Sequence, residues 1–180
     1  MSEDTLDPTL PGEGRPLARP GHPGALSVEA PTPGDVRWMA RALERAREAA
    51  LRGEVPVGAL LVRQGRIIAE GGNRTRTHPD PTAHAEVEVI RKGARILGDW
   101  RLLGCTLYVT LEPCSQCAGS IVLARIPRLV FAAPDPKAGM VGSLGNLVQD
   151  RRLNHRVRVT AGVLAEPAAL LLRDFFRERR

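Results

Sequence analysis

Several features that mark particular classes of protein are missing from this sequence of 180 residues. No apolar run approaches the roughly 18 residues that a membrane-spanning helix needs, so we expect no transmembrane span. The N-terminus is acidic and proline-rich instead of basic and then apolar, so we also expect no secretory signal. These absences predict a cytoplasmic location, where a reducing environment keeps thiols available as metal ligands.

Cysteine is scarce as well. The chain has three, Cys105, Cys114 and Cys117, together with four histidines. A zinc site with four cysteine ligands is therefore impossible within one chain. Cys105 stands just before an apolar run and is predicted to be a small buried hydrophobic residue instead of a ligand. Few ligand sets for a metal remain.

Aromatic side chains are few, and so are lysines among the basic residues. Aromatic residues make up 3% of the chain, and only two of its 26 basic residues are lysines. Few side chains are therefore available to stack on unpaired bases, as proteins that bind single-stranded RNA often do. Phe175-Phe176 is one candidate, although an aromatic pair flanked by leucines on a helix more often belongs to the core.

Positive charge is concentrated after residue 34. The first 34 residues contain five acids and two arginines, a net charge of −3, and the net charge of +6 for the chain leaves +9 for residues 35–180. A basic domain is typical of proteins that bind a polyanion such as nucleic acid, but a composition rich in arginine also produces solvated helix faces without a partner. The clusters that favour nucleic acid are Arg151-Arg152, Arg156, Arg158, Arg177 and Arg179-Arg180.

The composition also divides the chain. Seven of the fifteen prolines lie in the first 34 residues, which show little hydrophobic periodicity. We therefore predict that residues 1–34 form a disordered, proline-rich tail that carries no chemistry. Residues 35–180 are predicted to fold as one domain, long enough to bury a core without disulfides.

Helical and strand patterns alternate in this domain. In chain order, we predict a helix over 35–52, strands over 55–62 and 66–71, a helix over 83–97, a strand over 106–111, a helix over 114–124, strands over 129–133 and 156–160, and a helix over 165–177. Strands separated by a helix pair in parallel, whereas the first two form a hairpin. The predicted fold class is α/β, with a five-stranded mixed sheet and helices on both faces.

Two short motifs carry residues suited to chemistry. His84-Ala85-Glu86 is followed by Pro113-Cys114-Ser115-Gln116-Cys117. A catalytic zinc ion takes three ligands from protein, drawn from imidazole and thiolate, and leaves the fourth position to water. His84, Cys114 and Cys117 can supply the three, and Glu86 is then an unligated carboxylate able to act as acid and base.

The spacing of these residues predicts where they lie on their helices. Cys114 and Cys117 are one turn apart and share a face, with Pro113 at the first helical position. Thr82 is predicted to cap the helix that carries His84 and Glu86. Because residues two apart diverge on a helix, these two side chains can meet one ion only if the site lies over the helix end.

Neither motif is specific when it stands alone. A lone His-x-Glu often occurs by chance. Cys-x-x-Cys also occurs as a thioredoxin-like redox pair or as half of a structural zinc site. The redox alternative gives no role to His84 and Glu86. The two motifs together favour the catalytic metal site.

The pairing of His-x-Glu with Pro-Cys-x-x-Cys resembles the signature of the cytidine-deaminase-like zinc deaminases. Within that superfamily, residues 35–180 look like the bacterial tRNA adenosine deaminases, which make inosine at the anticodon wobble position. The segments that carry the resemblance are 53–59, 80–86, 110–114, 117–119, 137–139, 154–157 and 175–177. The resemblance implies a three-layer α/β/α fold, one zinc ion per subunit, a tRNA anticodon stem-loop as substrate and a homodimer whose site is partly built by the neighbouring subunit.

The resemblance also implies roles for individual residues. It makes His84, Cys114 and Cys117 the zinc ligands and Glu86 the acid and base. Three positions match substrate-binding residues of the family: Asn73, Asp135 and Val57. From the sequence pattern alone, Asn73 and Asp135 are also ordinary turn residues, and Val57 is also an ordinary core residue of a strand.

The sequence departs from the family pattern in three places. Two other functions are alternatives to tRNA deamination. Gln116 replaces a common methionine, Pro134 and Pro136 flank Asp135, and the tail has no counterpart in the family. A deaminase of a free nucleobase or nucleoside, such as guanine, cytosine or cytidine, keeps the same zinc chemistry but does not need the basic segment at Asn154-His155-Arg156. A non-catalytic zinc or RNA-binding module has no use for an unligated Glu86 at this spacing.

Overall fold

The computed structural model describes residues 25–179. Residues 1–24 of the predicted tail lie outside the described residues, and so does Arg180. The elements, in chain order, are α1 (Pro33–Leu51), β1 (Gly58–Arg63), β2 (Arg66–Gly72), α2 (Ala85–Leu97), β3 (Cys105–Leu111), α3 (Ser115–Leu123), β4 (Arg128–Ala133), β5 (Arg158–Ala161) and α4 (Ala165–Arg177). All nine predicted elements are present, with ends shifted by at most three residues.

The five strands form one mixed sheet in the order β2-β1-β3-β4-β5. β1 pairs antiparallel with β2 and with β3, whereas β3, β4 and β5 are parallel. The parallel strands end at the same edge of the sheet. The chain leaves β3 at this edge and enters the motif that contains Cys114 and Cys117.

Helices cover both faces of the sheet. On one face α2 and α3 pack against alternate strand residues such as Leu61, Leu107 and Leu129. On the opposite face α1 and α4 pack against the intervening residues, such as Leu60 and Val130. The alternation follows from the two-residue period of a strand. The predicted three-layer α/β/α fold is confirmed.

The last residues before α1 contact the domain. The backbone of Val28 bridges in parallel to Val159, and the amide of Glu29 donates to the carbonyl of Val159 at 2.7 Å. The side-chain amide of Gln149 accepts from the backbone of Ser27 at 2.9 Å and donates to it at 2.8 Å. Contacts with the domain therefore begin before the boundary that the composition placed after residue 34. A single bridge along a sheet edge leaves no periodic pattern in the sequence.

A buried carboxylate ties α1 to the centre of the sheet. The carboxylate of Asp35 accepts from both terminal nitrogens of Arg128, at 2.7 and 2.8 Å, and from the hydroxyl of Tyr108 at 2.9 Å. Thr32, the N-cap of α1, completes a capping box with it. Burial acts to raise the pKa of Asp35, but the bonds from Arg128, Thr32 and Tyr108 outweigh it and hold the pKa below its ordinary value of 3.8.

Replacing Asp35 with asparagine is expected to reduce the free energy of unfolding by about 3 kcal/mol, because it leaves the guanidinium of Arg128 uncompensated in a buried site. Since the native pKa of Asp35 is depressed, its contribution is complete above pH 4 and is lost as the pH falls further. Urea unfolding at pH 7 and pH 3 measures both effects. Asp174→Asn, which removes an exposed ion pair with Arg177, is the control and changes stability by at most about 0.5 kcal/mol. An equal effect of the two variants would contradict the prediction.

Candidate active site

Three side chains that can bind a metal converge at the N-terminal ends of two helices. His84 is the N-cap of α2 and Cys114 is the N-cap of α3, whereas Cys117 lies in the first turn of α3. The Nδ1 atom of His84 lies 3.6 Å from Sγ of Cys114 and 3.4 Å from Sγ of Cys117. The ligand atoms of all three residues lie within 4.8 Å of one another. The structure thus brings the three predicted ligands together.

The two nitrogen–sulfur distances fit a tetrahedral zinc ion. Zn–N bonds of about 2.0 Å and Zn–S bonds of about 2.3 Å at the tetrahedral angle place the nitrogen and the sulfur about 3.5 Å apart. The observed distances of 3.6 and 3.4 Å agree with that separation. One imidazole and two thiolates are also a donor set that zinc favours, and a fourth position remains for another group.

The helix ends differ from the prediction in a way that accounts for this convergence. Thr82 does not cap α2, because its amide and hydroxyl are both bound to the carboxylate of Asp80, at 2.8 and 2.6 Å. His84 is the N-cap instead, with φ −74° and ψ 153°. Pro113 precedes the N-cap of α3 and is not its first helical residue. The extended backbone at His84 places its ring over the helix end, so the condition for convergence with Glu86 is met.

His84, Cys114 and Cys117 shift one another's pKa values through hydrogen bonds. The hydrogen bond from the thiol of Cys117, aided by His84, lowers the pKa of Cys114 to about 3. The same bond, together with burial, raises the pKa of Cys117. The bond to Cys114 also raises the pKa of His84. Binding of a metal must displace these protons, so its affinity depends on pH.

Glu86 lies beside the ligand cluster without belonging to it. It occupies the first turn of α2, is 4% exposed and hydrogen-bonds the thiol of Cys117. Burial raises the pKa of this carboxyl above its ordinary value of 4.5. A raised pKa makes the carboxylate of Glu86 a stronger base than an ordinary glutamate, which suits a group that takes up and releases protons in general acid–base catalysis.

Asn73 has a structural contact that the sequence does not reveal. Its Oδ1 atom accepts a hydrogen bond from the backbone amide of Ala85, the first residue of α2, at 2.9 Å. This bond links the end of β2 to the helix that carries Glu86. Among residues 25–179 the amide nitrogen of Asn73 has no hydrogen-bond partner, which leaves a donor for a ligand.

The other two predicted substrate residues have contacts of their own. The carboxylate of Asp135 accepts from the backbone amides of Lys137 and Ala138, at 3.0 and 3.2 Å, and so closes a turn. Val57 is 5% exposed, packs in the core and precedes β1. Its carbonyl accepts from the amide of Asn73 at 3.1 Å. Asp135 is therefore a turn residue and Val57 a core residue, as the sequence pattern indicates.

Two buried glutamates near the site escaped the sequence prediction. Glu54 is fully buried and accepts from the amides of Arg76 and Thr77, at 2.9 and 2.7 Å, so it fixes the loop that follows Asn73. Glu112, 2% exposed, holds the loop that contains Asp135 in the same way. One signal in the sequence could have found them: each is an acidic residue next to an apolar run. Such a residue is buried when the run folds and then needs hydrogen-bond donors.

The basic clusters are largely at the surface. Arg152 is paired with Asp150 at 2.6 Å and Arg158 with Glu29 at 3.3 Å, whereas Arg151 and Arg156 are exposed and have no ion pair within the described chain. In the C-terminal helix Phe175 is buried and Phe176 is 50% exposed. Free positive charge and one accessible aromatic ring thus lie in the part of the chain that the sequence associates with RNA. Across residues 25–179, the helices are too short or too polar to cross a lipid bilayer.

Known deaminases resemble this chain in sequence and structure. The MafB19-like deaminase family profile matches residues 34–180. A tRNA-specific adenosine deaminase of Bacillus subtilis is 49% identical over 146 residues, which are 81% of this chain and 91% of that protein. One of Haemophilus influenzae is 50% identical over 147 residues, which are 81% and 85% of the two proteins. A structure from a study of A-to-I editing by tRNA:A34 deaminases at the wobble position has a TM-score of 0.73 and 48% identity, and the match covers 76% of this chain and 99% of that chain.

Proposed function

This chain belongs to the family of tRNA-specific adenosine deaminases, and from this premise we propose that it converts adenosine to inosine at the wobble position of a tRNA anticodon. One zinc ion per subunit, held by His84, Cys114 and Cys117, is part of the proposal. The observation that carries it is the convergence of this ligand set with a buried, unligated glutamate at one end of the sheet.

The reaction exchanges the exocyclic amine of adenine for an oxygen from water, and ammonia leaves. Zinc, when bound, supplies a Lewis acid that makes water nucleophilic near neutral pH. Glu86 takes one proton from the attacking water and passes it to the ring, then takes the second proton from the added hydroxyl and passes it to the amine, which leaves as ammonia. Its burial keeps bulk water from competing for these protons, and its raised pKa makes it a stronger base than an ordinary glutamate. The amide nitrogen of Asn73 provides a donor that orients the base.

The substrate follows from the energetics of base flipping and from charge. A base inside a duplex must be unstacked before it reaches a buried glutamate, whereas a base in an anticodon loop is already partly unstacked. The exposed Arg151 and Arg156 offer positive charge to the phosphates of the stem. We assign Asp135 and Val57 to the surroundings of the base, residues 35–180 to the deaminase domain, and the enzyme to the cytoplasm, where tRNA is available.

A panel of substrates tests this proposal. The zinc-loaded protein is incubated in parallel with an RNA stem-loop containing adenosine 34, with guanine, with cytosine and with cytidine, and each deaminated product is quantified. We expect inosine from the stem-loop and no product above background from the small molecules. Product from a free base or nucleoside alone would overturn the proposal in favour of a small-molecule deaminase.

The proposal includes a homodimer formed through an apolar face between α2 and α3. The apolar residues of this face are Val87, Ile90, Ala94, Trp100 and Leu123, which together with Arg91, Ser120 and Ala124 line a shallow pocket of about 330 Å³. Trp100 is 61% exposed and Leu123 is 74% exposed. Two large apolar side chains exposed on one face are typical of an interface. Since Val87 directly follows Glu86, a second copy of this chain bound to this face lies close to the site. This is expected if each subunit contributes residues to the site of its neighbour.

Replacing Leu123 with glutamate is expected to convert a dimer into a monomer at micromolar concentration, because it places a charge in the apolar interface. Light scattering coupled to gel filtration measures the mass. Leu51→Glu is the control, since Leu51 is 88% exposed at the end of α1 and lies away from this face. A monomeric wild-type protein, or a dimeric Leu123→Glu variant, would contradict the assigned interface.

A further inference from the structure

Glu112 is the last residue before the motif that carries Cys114 and Cys117, and its carboxylate is saturated by one loop. It accepts from the backbone amides of Asp135, Val141 and Ser143, each at 2.9 Å, and from the hydroxyl of Ser143. Within residues 25–179 it forms no ion pair with a basic side chain. A carboxylate only accepts hydrogen bonds, and these four donors from the loop satisfy it.

The loop that Glu112 binds also lies against the metal-ligand motif. The amide of Met140 donates to the carbonyl of Pro113 at 2.9 Å, and Gly139 forms an antiparallel bridge with Cys114. The approach leaves no space for a side chain, because a Cβ atom at Gly139 would overlap the carboxylate of Glu112. One buried carboxylate therefore fixes the distance between the loop and a metal ligand.

We propose that Glu112 is a positioning residue for deamination, which holds the loop of residues 134–143 in place for RNA binding. This inference rests on the proposed function. Glu112 acts through the loop: it fixes the backbone at Asp135, at one end, and at Val141 and Ser143, at the other. The segment between these anchors contains Lys137, which is exposed, and the turn closed by the carboxylate of Asp135. The loop is thereby kept in one conformation before the substrate arrives, so binding does not have to order it.

Two variants test the role of Glu112. Glu112→Gln replaces one acceptor oxygen with an NH₂ group, which faces backbone amides and cannot accept from them. Gly139→Ala pushes the loop away from Glu112 without a change in charge. Both should raise KM for the adenosine-34 stem-loop by about tenfold, the factor expected from one lost buried hydrogen bond, with a smaller change in kcat and with one zinc per chain retained. Glu112→Asp keeps both acceptor oxygens on a shorter side chain and should restore part of the loss.

The control is Asp35→Asn, which removes a buried carboxylate that stabilises the fold at α1, remote in sequence from the loop. Assayed below its unfolding temperature, it should leave KM unchanged. Hydrogen exchange provides a second readout: the amides of Asp135, Val141 and Ser143 should exchange faster in Glu112→Gln. If the wild-type enzyme deaminates the stem-loop, unchanged KM and unchanged hydrogen exchange in Glu112→Gln would overturn the inference. A wild-type enzyme inactive on the stem-loop would instead overturn the proposed function.

Discussion

Glu86→Gln is expected to lower kcat for deamination of the adenosine-34 stem-loop by about 10²–10⁴-fold, the usual contribution of a general acid–base group. Glutamine preserves the shape of the side chain but cannot take up and deliver a proton. Because Glu86 lies outside the proposed ligand set of His84, Cys114 and Cys117, the variant should still carry one zinc per chain. The loss should therefore appear in the chemical step, measured as a single-turnover rate, with little change in binding of the RNA.

A neighbouring residue on the same helix provides the control. Glu88 lies two positions along α2, outside the ligand cluster, and its carboxylate is 3.9 Å from Arg91. Glu88→Gln should retain nearly the wild-type rate. Full turnover by Glu86→Gln with zinc still bound would contradict the assignment of Glu86 as the acid and base.

Cys117→Ser is expected to abolish both zinc binding and deamination. Cys117 is fully buried in the first turn of α3, and a hydroxyl in its place is a much weaker ligand than a thiolate. Zinc content, measured by elemental analysis after dialysis, should fall well below one per chain. Removal of zinc from the wild-type protein with a chelator should abolish activity in the same way, and added zinc should restore it in the wild type alone.

Cys105→Ala separates loss of a ligand from loss of a buried thiol. Cys105 is also buried, but it lies at the start of β3 and outside the ligand cluster. The variant should lose about 1 kcal/mol of stability through a small cavity, yet keep one zinc per chain and the wild-type rate. A fully active, zinc-loaded Cys117→Ser protein would contradict the ligand assignment.

The ligand cluster was predictable from sequence because its geometry is local. Cys114 and Cys117 are one turn apart, and a helix end was the only place where His84 and Glu86 could meet one ion. The predicted cap at Thr82 was wrong, since the carboxylate of Asp80 binds the backbone and hydroxyl of Thr82 before the helix can use them. The helix therefore begins two residues later than the capping pattern indicates. That shift places His84 over the helix end.

The supporting contacts were not predictable because their partners are distant in sequence. Glu112 meets Val141 and Ser143, which are 29 and 31 residues away, and Asp35 meets Arg128, which is 93 residues away. Each residue alone is an ordinary acidic side chain near an apolar segment. Only the order of the strands brings the partners together, and that order follows from packing of the whole sheet. The same is true of Asn73, whose bond to Ala85 joins β2 to α2.

These contacts connect the chemistry to the fold. Asn73 fixes the start of the helix that carries Glu86, and Glu112 fixes a loop against the helix that carries the cysteines. The proposed metal ligands and the proposed acid and base are therefore held by elements that are themselves anchored from outside the motif. Such preorganisation reduces the reorganisation needed when the base arrives.

The most direct test of the central claim is the position of inosine in RNA after incubation with the zinc-loaded enzyme. A stem-loop with adenosine at position 34 and further adenosines in the paired stem is treated, digested and mapped nucleotide by nucleotide. The proposed site predicts inosine at position 34 alone, and none when Glu86→Gln replaces the wild-type protein. Unmodified RNA after treatment with zinc-loaded wild-type enzyme, or inosine spread over the paired stem, would contradict it.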